Sequence, residues 1–538
     1  MIRVRQVKIL VEQDSISKQR SQIAKKLHIK ESDIQHFQVH KQSLDARKKD
    51  NIYYVYEFDV DVTNEDKVLA KNHTNDILKT PDETYQLPNM GTELLTTRPV
   101  IIGSGPAGLF AGYILAEAGY RPLMIERGEA IADRQKTVEN FWNTGQLNPE
   151  SNVQFGEGGA GTFSDGKLNT LVKDKIGRGR KVFETFVKYG APKEILYLQK
   201  PHIGTDLLSK VITNMRNDMI QMGAEFHYST CFTNMTIKDY QIQEIELNHN
   251  KKIPCQTLVL ALGHSARDTF SMLLEQGIQM EAKPFALGLR VQHPQDMIDL
   301  SQYGEKYAKT LSPASYKLTY TTKSGRGVYS FCMCPGGYVV NASSEPHHLA
   351  INGMSNHSRD GKNANSAIVV TVTPDDFGKE PLSGIEFQRK LEEKAFQIGQ
   401  GSIPVQLWKD FKKNQVSTDF VNMTPQIKGT YRFGNLRQLL PESLSNSLLE
   451  AIPEFGKKIH GFDREDFILA GIESRTSSPV RMNRDENLES NIKGIYPCGE
   501  GAGYAGGITT AAIDGIKVAE EIIKKYKCII VNDVRQNL

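Results

Sequence analysis

The clearest alternation of apolar and polar positions lies near the amino terminus, between residues 51 and 62. The apolar side chains fall on one face of an extended chain and the acids on the other, namely Ile52, Tyr54, Tyr56, Phe58, Val60 and Val62 against Glu57, Asp59 and Asp61. This pattern predicts a strand with one buried and one solvated face. Together with a strand predicted over 2–11 and an amphipathic helix over 17–27, it indicates a small α+β module.

A second pattern, an apolar run followed by glycines and then by helical periodicity, occupies residues 99–127. The run 100–102 predicts a strand, GSGPAG at 103–108 predicts a tight turn, and the positions up to Gly119 predict a helix. Another apolar run at 123–125 ends at Glu126. A strand, glycine turn, helix, strand and spaced acid in this order are typical of a dinucleotide-binding unit.

Each part of this unit has a physical task. Gly103 permits the tight turn, Gly105 lets the backbone approach a pyrophosphate, and Gly108 lets the helix pack closely on the strand. The helix N-terminus presents free N–H groups to the phosphates. The Glu126 carboxylate is suited to bind a ribose diol and would repel a 2′-phosphate, so we expect an unphosphorylated adenosine.

A glycine-rich stretch, QFGEGGAGTFSDGKL at 154–168, follows a predicted helix over 132–142. Flexible linkers rarely contain aromatic and branched side chains such as Phe155, Phe163 and Leu168. We therefore predict a second loop that contacts the cofactor rather than a surface linker. Its candidate residues are Gly158, Gly159, Gly161 and Thr162.

The chain closes with a similar arrangement at 494–515, in which a strand ends near Glu500 and a glycine loop leads into a helix up to about Tyr526. The acid could accept a hydrogen bond from a ribityl hydroxyl. Free N–H groups near Gly507 to Thr509 could face an electron-rich ring carbonyl. This segment is thus predicted to complete the site that the first unit begins.

The residues between these motifs predict an inserted mixed α+β domain. Three runs within 224–263 have the pattern of an antiparallel meander that returns to a buried strand, residues 284–375 are rich in strands, and helices are predicted over 384–398 and 442–452. The insert has no glycine fingerprint of its own, so a substrate domain would lie here. The predicted boundaries are 1–90, 91–270, 271–465 and 466–538.

Composition narrows the function classes. At 538 residues the chain predicts two or three domains, and a formal net charge of +3 gives no global argument for nucleic acid or membrane as a partner. There is no apolar run of membrane-spanning length and no apolar core of a secretion signal. Six cysteines are too few for a disulfide framework, so we expect reduced thiols and a cytoplasmic protein.

A basic turn, HKQSLDARKKDN at 40–51, has two interpretations. It could form a nucleic-acid or anion-binding patch, or it could be the solvated tip of a hairpin. The acidic residues at 51–98 bring the module close to neutrality, which favours the hairpin tip.

GSGPAG, Glu126 and CGEGAGYAGGITTAAIDG together resemble the glutathione-reductase-like FAD-binding domain. The resemblance implies an α/β, Rossmann-like fold in which the first unit binds the ADP half of FAD and the last strand and helix close over the flavin. LVLALG at 258–263 looks like the middle signature of that fold. The cofactor-binding residues implied by these motifs are Gly103, Gly105, Pro106, Ala107, Gly108, Glu126, Arg127, Gly158, Gly159, Gly161, Thr162, Phe232, Ala261, Gly263, Gly499, Glu500, Gly506, Gly507, Ile508 and Thr509.

More narrowly, SLDARKK, FGEGGAGTFSDGKL, YSFCMCPGGYVVNASSE, ESRTSSPVRM and GEGAGYAGGI resemble a bacterial family loosely named FAD-dependent or NAD-utilising dehydrogenases. The resemblance covers nearly the whole chain, and the substrate of that family is not established. Two features of the thiol–disulfide reductases are missing from the sequence, a CxxxxC soon after the first unit and a second glycine fingerprint for a nicotinamide cofactor.

Four residues are candidates for a substrate or flavin-facing role. Cys332 and Cys334 could place a thiol near the flavin or could be small residues on a core strand, which we favour, since a regular strand is a poor host for a disulfide between them. Arg475 and Arg481 could hold a substrate carboxylate or stabilise reduced flavin, or could pair with Glu473 or Asp485. No metal is assigned, and the catalytic acid or base is left unnamed.

These observations predict a FAD-dependent oxidoreductase that acts on a small molecule or on a redox partner protein. No membrane is expected as a partner, and nucleic acid is disfavoured. An alternative is an RNA-associated protein whose FAD is auxiliary. A third is a protein in which FAD has a structural or sensing role without turnover.

Overall fold

The computed structural model describes residues 1–528 except 73, 171 and 173. The amino-terminal module is a four-stranded antiparallel sheet in the order β2-β3-β1-β4, with α1 packed against β1. Its elements are β1 (Ile2–Leu10), α1 (Ile16–Leu27), β2 (Ile34–Asp45), β3 (Tyr53–Val62), α2 (Glu65–Lys71) and β4 (Ile77–Lys79).

The predicted alternation on β3 is wrong at one position, Asp59. This acid was expected on the solvated face, but it is buried because Arg3 lies opposite it on β1. The Arg3 Nε donates to Asp59 Oδ1 at 2.9 Å, and the Thr80 hydroxyl donates to the same oxygen at 3.1 Å. A paired charge can be buried where a lone one cannot.

The amino-terminal module packs on both other parts of the molecule. The Gln42 backbone exchanges hydrogen bonds with the Tyr197 carbonyl and the Gln199 N–H, and the Glu12 carboxylate accepts from the Tyr307 hydroxyl at 2.7 Å. Residues 46–52 form the tip of the β2–β3 hairpin. At this tip Arg47 forms an ion pair with Asp45, with a shortest distance of 2.7 Å.

The next segment supplies most of a parallel sheet and its helices. Its elements are β5 (Glu93–Leu94), β6 (Val100–Ile102), α3 (Pro106–Glu117), β7 (Leu123–Ile125), α4 (Ile131–Thr144), α5 (Arg178–Lys188), α6 (Thr205–Gln221), β8 (Glu225–His227), β9 (Phe232–Lys238), β10 (Gln241–Leu247), β11 (Lys251–Pro254), β12 (Leu258–Leu260) and α7 (Arg267–Glu275). Strands β9, β10 and β11 form an antiparallel meander. Two of them, β9 and β10, lie within predicted runs, the third predicted run is β12 of the parallel sheet, and β11 was not predicted.

The inserted part is built on a seven-stranded sheet in the order β15-β16-β19-β14-β23-β20-β22. This sheet includes β23, which the predicted boundary at 466 assigns to the FAD-binding domain. The elements are β13 (Met280–Ala282), β14 (Phe285–Pro294), α8 (Gln295–Tyr303), β15 (Thr319–Thr321), β16 (Gly327–Cys334), β17 (Tyr338–Asn341), β18 (Ile351–Met354), β19 (Asn363–Val372), α9 (Pro374–Phe377), α10 (Ser383–Gly399), β20 (Ile403–Leu407), α11 (Trp408–Lys413), β21 (Ile427–Lys428), β22 (Tyr431–Phe433), α12 (Leu436–Leu439), α13 (Glu442–Lys458) and β23 (Ile468–Glu473).

The chain then returns to the parallel sheet through β24 (Val480–Met482), β25 (Ile495–Pro497), α14 (Ile508–Lys525) and β26 (Tyr526–Lys527). The sheet has the order β25-β12-β6-β7-β8, and all four of its strand pairs are parallel. Helices α3 and α14 cross closely because their contact is made of small residues, and a Cβ on Gly515 would lie 2.1 Å from the Ala107 carbonyl oxygen.

This topology brings the carboxyl ends of β6, β7, β12 and β25 to one edge of the sheet, where ligands bind in open α/β sheets. The glycine motifs that the sequence singles out follow one of these strands or line a cavity at this edge. Within the described ranges, none of the helices is long and apolar enough to cross a membrane.

Candidate functional site

A cavity of about 370 Å³ opens at this edge of the sheet, and residues from the parallel-sheet part and from the inserted part line it. Fifteen of the twenty predicted cofactor residues are in its wall: Gly103, Gly105, Pro106, Ala107, Glu126, Arg127, Gly159, Gly161, Phe232, Ala261, Gly263, Glu500, Gly506, Gly507 and Ile508. The three motifs, which are up to 400 positions apart in the sequence, therefore share one site.

The remaining five lie behind the wall: Gly108, Gly158, Thr162, Gly499 and Thr509. Gly108 has the packing role expected of it, since a Cβ there would lie 1.9 Å from the Gly103 carbonyl oxygen. A Cβ on Gly499 would meet the Ala107 methyl at 2.6 Å, and the Thr509 hydroxyl donates to the Leu168 carbonyl at 2.8 Å. These residues shape the site without facing the cavity.

Two helices point their N-termini into this cavity, and the described residues supply no side-chain cap for either. Gly105 is the N-cap of α3, and Gly507 is the N-cap of α14. The first N–H groups of an α-helix have no partners within the helix. Because no side chain satisfies them here, both N-termini are free to bind anionic or electron-rich ligand atoms.

Gly105 faces the cavity in the first glycine turn. Its φ of −72° is open to any residue, and a Cβ there would find a single protein atom within 4 Å, the Gly159 Cα at 3.8 Å. The protein itself thus leaves room for a side chain at this position. Packing within the protein therefore does not require a glycine here.

Glu126 is held more tightly than the sequence suggests. Its Oε2 accepts from the Ser104 N–H at 2.9 Å and the Ser104 hydroxyl at 2.8 Å, and its Oε1 accepts from the N–H groups of Gly128 and Gly156 at 3.0 Å each. The carboxylate therefore joins both glycine loops. A ribose diol would have to share these oxygens with the protein.

Arg134 organises the second glycine loop, and sequence reasoning missed it. This fully buried side chain on α4 donates to the carbonyls of five loop residues at 2.7–3.2 Å: Asn152, Val153, Gly156, Glu157 and Gly159. Burial lowers the pKa of Arg134 to about 10, so the guanidinium remains charged at neutral pH. A single arginine in a polar helix carries no motif that would have revealed this role.

Arg127 and Phe232 lie at the end of the cavity formed by β7 and the meander. The Arg127 guanidinium stacks over the Phe155 ring at 4.3 Å and forms ion pairs with Glu150 and Asp268 at 2.9 Å each. It contributes a flat, cationic wall at the end where the first unit would hold an adenosine.

The inserted domain supplies the opposite wall through Phe331, Cys332, Asn352, Glu473, Arg475 and Thr476. Arg475 forms an ion pair, but with Glu392 rather than with Glu473 or Asp485, the two partners that the sequence offered as one alternative. Its Nε and Nη2 donate to the two oxygens of Glu392 at 2.9 and 2.8 Å. Arg267 donates to the same carboxylate through both terminal nitrogens, so Glu392 lies between two arginines.

Glu473 has a different partner, the fully buried Arg290. The Arg290 Nε and Nη2 donate to the Glu473 oxygens at 2.8 and 2.9 Å. The other two candidates lie outside the cavity wall. Arg481 on β24 lies 5.4 Å from the Tyr504 ring centroid, and Cys334 is buried in β16.

The sequence predicts a regular strand at Cys332, but the strand is irregular at this residue. The pairing of β16 with β19 shifts register between Phe331 and Cys334, and Cys332 has a φ of +43°. A bulge of this kind re-aims a side chain, and it places Cys332 in the cavity wall. The preferred interpretation as a core residue therefore holds for Cys334 and not for Cys332.

Two further polar residues complete this end of the cavity. Burial raises the pKa of Glu500 to about 7, while nearby Lys283 opposes the shift. Burial lowers the pKa of His264 to about 3, helped by Arg475, so this ring is neutral. The His264 Nε2 lies 3.9 Å from Glu500 Oε1. His264 follows β12 and was not singled out from the sequence.

Family models match three parts of the chain. Residues 96–139 match a FAD binding domain, residues 284–476 match "FAD-dependent protein, C-terminal domain-like", and residues 1–61 match a domain of unknown function. The fold and these matches define a flavoprotein, and the protein binds FAD. The uncapped helix N-termini and the open space at Gly105 fit this cofactor.

An uncharacterized protein of Clostridium beijerinckii (strain ATCC 51743 / NCIMB 8052) is 48% identical over 531 residues, which cover 98% of this chain and 99% of that protein. The chain belongs to the same family as this protein.

Among solved structures, L-proline dehydrogenase from P. horikoshii is 12% identical, covers 82% of this chain and 96% of its own, and has a TM-score of 0.35. Glycine oxidase from Bacillus cereus ATCC 14579 is 11% identical, with 79% and 95% covered and a TM-score of 0.33. The flavin-dependent brominase Bmp2 is 14% identical, with 79% and 78% covered and a TM-score of 0.36.

Proposed function

We propose that this protein is a FAD-dependent oxidoreductase whose substrate reacts at the wall contributed by the inserted domain. One observation carries the proposal: a single cavity contains two uncapped helix N-termini at one side and a polar wall with a cysteine and two acids at the other. A purely structural cofactor would not require ionisable groups at its exposed end.

FAD supplies two-electron redox chemistry when bound. The N-terminus of α3 and Gly105 would hold the pyrophosphate, and Arg127 and Phe232 would flank the adenosine. The N-terminus of α14 would face the flavin carbonyls and favour negative charge there.

Glu500 is the candidate for proton transfer, because with a pKa of about 7 it is partly protonated at neutral pH. His264 is neutral and, with a pKa of about 3, is a weak base that would serve as a hydrogen-bonding group beside Glu500. Groups with shifted pKa values in a cleft are often functional. Asn352 and Thr476 contribute neutral polar atoms to the same wall and could orient a substrate.

The experiment is anaerobic reduction of the purified yellow protein with a panel of amines, amino acids, hydroxy acids, thiols and reduced redox proteins. One class of donor should bleach the flavin band with saturation. A Glu500→Gln variant should bind FAD and react more slowly, whereas the matched exposed variant Glu486→Gln should behave as wild type. Bound FAD that no donor reduces would instead support a structural or sensing role.

The RNA-associated alternative receives no support from the amino-terminal module. The Arg47 guanidinium is paired with Asp45, and Lys41 and Lys8 lie 3.7 and 3.6 Å from Glu57 and Asp45. Asp45 and Glu57 therefore offset part of the positive charge of the hairpin, whereas Lys48 and Lys49 at its tip form no ion pair with the described residues. A gel-shift assay with single-stranded RNA at physiological salt tests this, and saturable binding would revive the alternative.

A further inference from the structure

Cys332 and Cys334 are separated by one residue on β16, at the cavity wall. We propose that these two cysteines form a redox-active pair that closes to a disulfide and exchanges electrons with FAD. The inference rests on the proposed function, because the electron acceptor is the FAD that the same cavity holds.

The shape of the backbone allows the two thiols to approach each other. Residues two apart on a regular strand are separated by about 6.6 Å between Cα atoms, close to the upper limit for a disulfide at about 6.8 Å. Here the strand bulges, because Cys332 adopts a φ of +43° and the ladder to β19 skips a register between Phe331 and Cys334. The backbone is not fully extended, so the two thiols can approach.

The two cysteines are also close to each other. The Cys334 thiol donates to the Cys332 carbonyl oxygen at 3.3 Å. The interaction between the two thiols lowers the pKa of Cys332 and raises that of Cys334. Cys332 is partly exposed in the cavity wall, whereas Cys334 is buried behind it, so only one sulfur of the pair faces a ligand.

The charges around Cys332 also favour a reactive thiol. Lys167 lines the cavity, and its ammonium acts with Arg290 to favour a thiolate at Cys332, although burial and Asp165 oppose this. The Lys167 Nζ is buried, lies 3.7 Å from Asp165 Oδ2, and donates no hydrogen bond within the part of the chain that the structure describes. The Arg290 Nη1 donates to the Cys332 carbonyl at 3.2 Å. Cationic surroundings of this kind are typical of reactive thiols.

Cys332 also lies in the same cavity wall as Glu500, the residue that follows β25 and precedes the α14 turn. This is the end of the cavity assigned to the flavin ring. Cys332 makes a small contribution to the raised pKa of Glu500. The other cysteines in the cavity wall are Cys231, beside Phe232, and Cys498, and neither belongs to such a pair.

The reaction balances within the site. Oxidation of the pair breaks two S–H bonds, forms one S–S bond and releases two electrons and two protons, and the acceptor of both is oxidised FAD. The reverse reaction returns them. A disulfide that closes such a short loop on a bulged strand is strained, and strained disulfides have comparatively high reduction potentials and are readily reduced.

The test counts electrons in the full-length protein loaded with FAD and oxidised with ferricyanide. Anaerobic titration with dithionite should consume about four electrons per FAD in the wild type, two for FAD and two for the disulfide. The Cys332→Ser and Cys334→Ser variants should consume about two. The control Cys255→Ser removes a buried thiol outside the cavity and should consume as many electrons as the wild type.

Mass spectrometry of the oxidised protein after alkylation under denaturing conditions provides a second readout. The peptide with Cys332 and Cys334 should remain unalkylated and should lack two hydrogens. Uptake of two electrons per FAD by the wild type, or four by Cys334→Ser, would overturn the proposal, as would a disulfide that consumes no additional electrons. The absorption band of the bound flavin tests the proposed function separately. Absence of bound FAD would contradict the proposed function before any electrons are counted.

Discussion

A Cβ on Gly159 would lie 3.0 Å from the Cα of Gly105, so the two glycine loops meet at residues that have no side chains. The first loop follows β6, and the second is held by Arg134. A ligand that follows the first loop must therefore pass close to the backbone of both.

The first prediction separates binding from folding within GSGPAG. Gly105→Val should fold with nearly wild-type stability but should lose bound FAD, because the added side chain enters space that the protein leaves open. Gly108→Ala should instead destabilise the fold, since its Cβ would lie 1.9 Å from the Gly103 carbonyl oxygen. Flavin content and urea unfolding distinguish the two. Full flavin content in Gly105→Val would disprove the pyrophosphate assignment.

The second prediction concerns Glu126 as a structural residue. Glu126→Ala should lower the free energy of unfolding of the FAD-free protein by about 2–4 kcal/mol, because Ser104, Gly128 and Gly156 lose a shared charged acceptor. Chemical denaturation of the FAD-free protein measures this. If FAD-free Glu126→Ala is as stable as the FAD-free wild type and the variant loses only its affinity for FAD, the carboxylate acts on the ribose alone.

The third prediction tests the buried carboxylate of Glu392. The Arg267 and Arg475 guanidinium groups hold its pKa well below the usual range of a glutamate. Glu392→Gln should cost about 3–5 kcal/mol of stability, because two buried cations lose the carboxylate that they share and keep only the partly exposed Glu345 as an acidic neighbour. Glu393→Gln, at the neighbouring exposed position, is the matched control and should change little. Equal thermal midpoints for the two variants would contradict this.

The fourth prediction is a pH dependence set by Glu500. Since its pKa is raised to about 7 in the folded protein, the folded state retains a proton that the unfolded chain releases above about pH 4.5. Stability should therefore fall as pH rises from about 5 to 7 and then level off. Glu500→Gln should remove this loss and gain about 1–3 kcal/mol relative to wild type at pH 8. Thermal unfolding of the FAD-free wild type and variant at several pH values measures this difference. A gain that is the same at pH 5 and pH 8 would argue against it.

The fifth prediction concerns nicotinamide cofactors. Their pyrophosphate needs a glycine turn at a helix N-terminus. The one such turn that we identify after residue 128, the glycine loop before α14, lines the FAD cavity itself, and we find no second unit with a strand, glycine turn, helix, strand and spaced acid. NADH and NADPH should therefore reduce the flavin slowly and without saturation at micromolar concentrations. Stopped-flow mixing under anaerobic conditions decides this, and rapid, saturable bleaching would reveal a nicotinamide site.

The glycine motifs could be found in the sequence because each is a contiguous pattern with a fixed geometry. The helices over 384–398 and 442–452 were also predicted within a few residues, apart from the extension of α13 through Pro453 to Lys458. Local spacing was sufficient in these cases, because a turn or a helix is specified by its own residues.

The rest depends on contacts between distant positions. Arg134, Lys167, His264 and Glu392 are single polar residues in unremarkable surroundings, and tertiary folding brings them to the site. Asp59 looked solvated because the pattern on β3 does not show Arg3 on the neighbouring strand. The position of Cys332 depends on a bulge, which apolar periodicity does not encode.

The arginine that holds the second glycine loop also has a kinetic consequence. Five carbonyls in and just before that loop accept hydrogen bonds from one guanidinium on α4. We therefore expect the loop to move away from the cavity only when these hydrogen bonds break together. Exchange of the cofactor is then tied to partial loss of α4 packing. We expect FAD to accompany the protein through purification and dilution, and its dissociation to begin at the denaturant concentration at which this helix loses its amide protection.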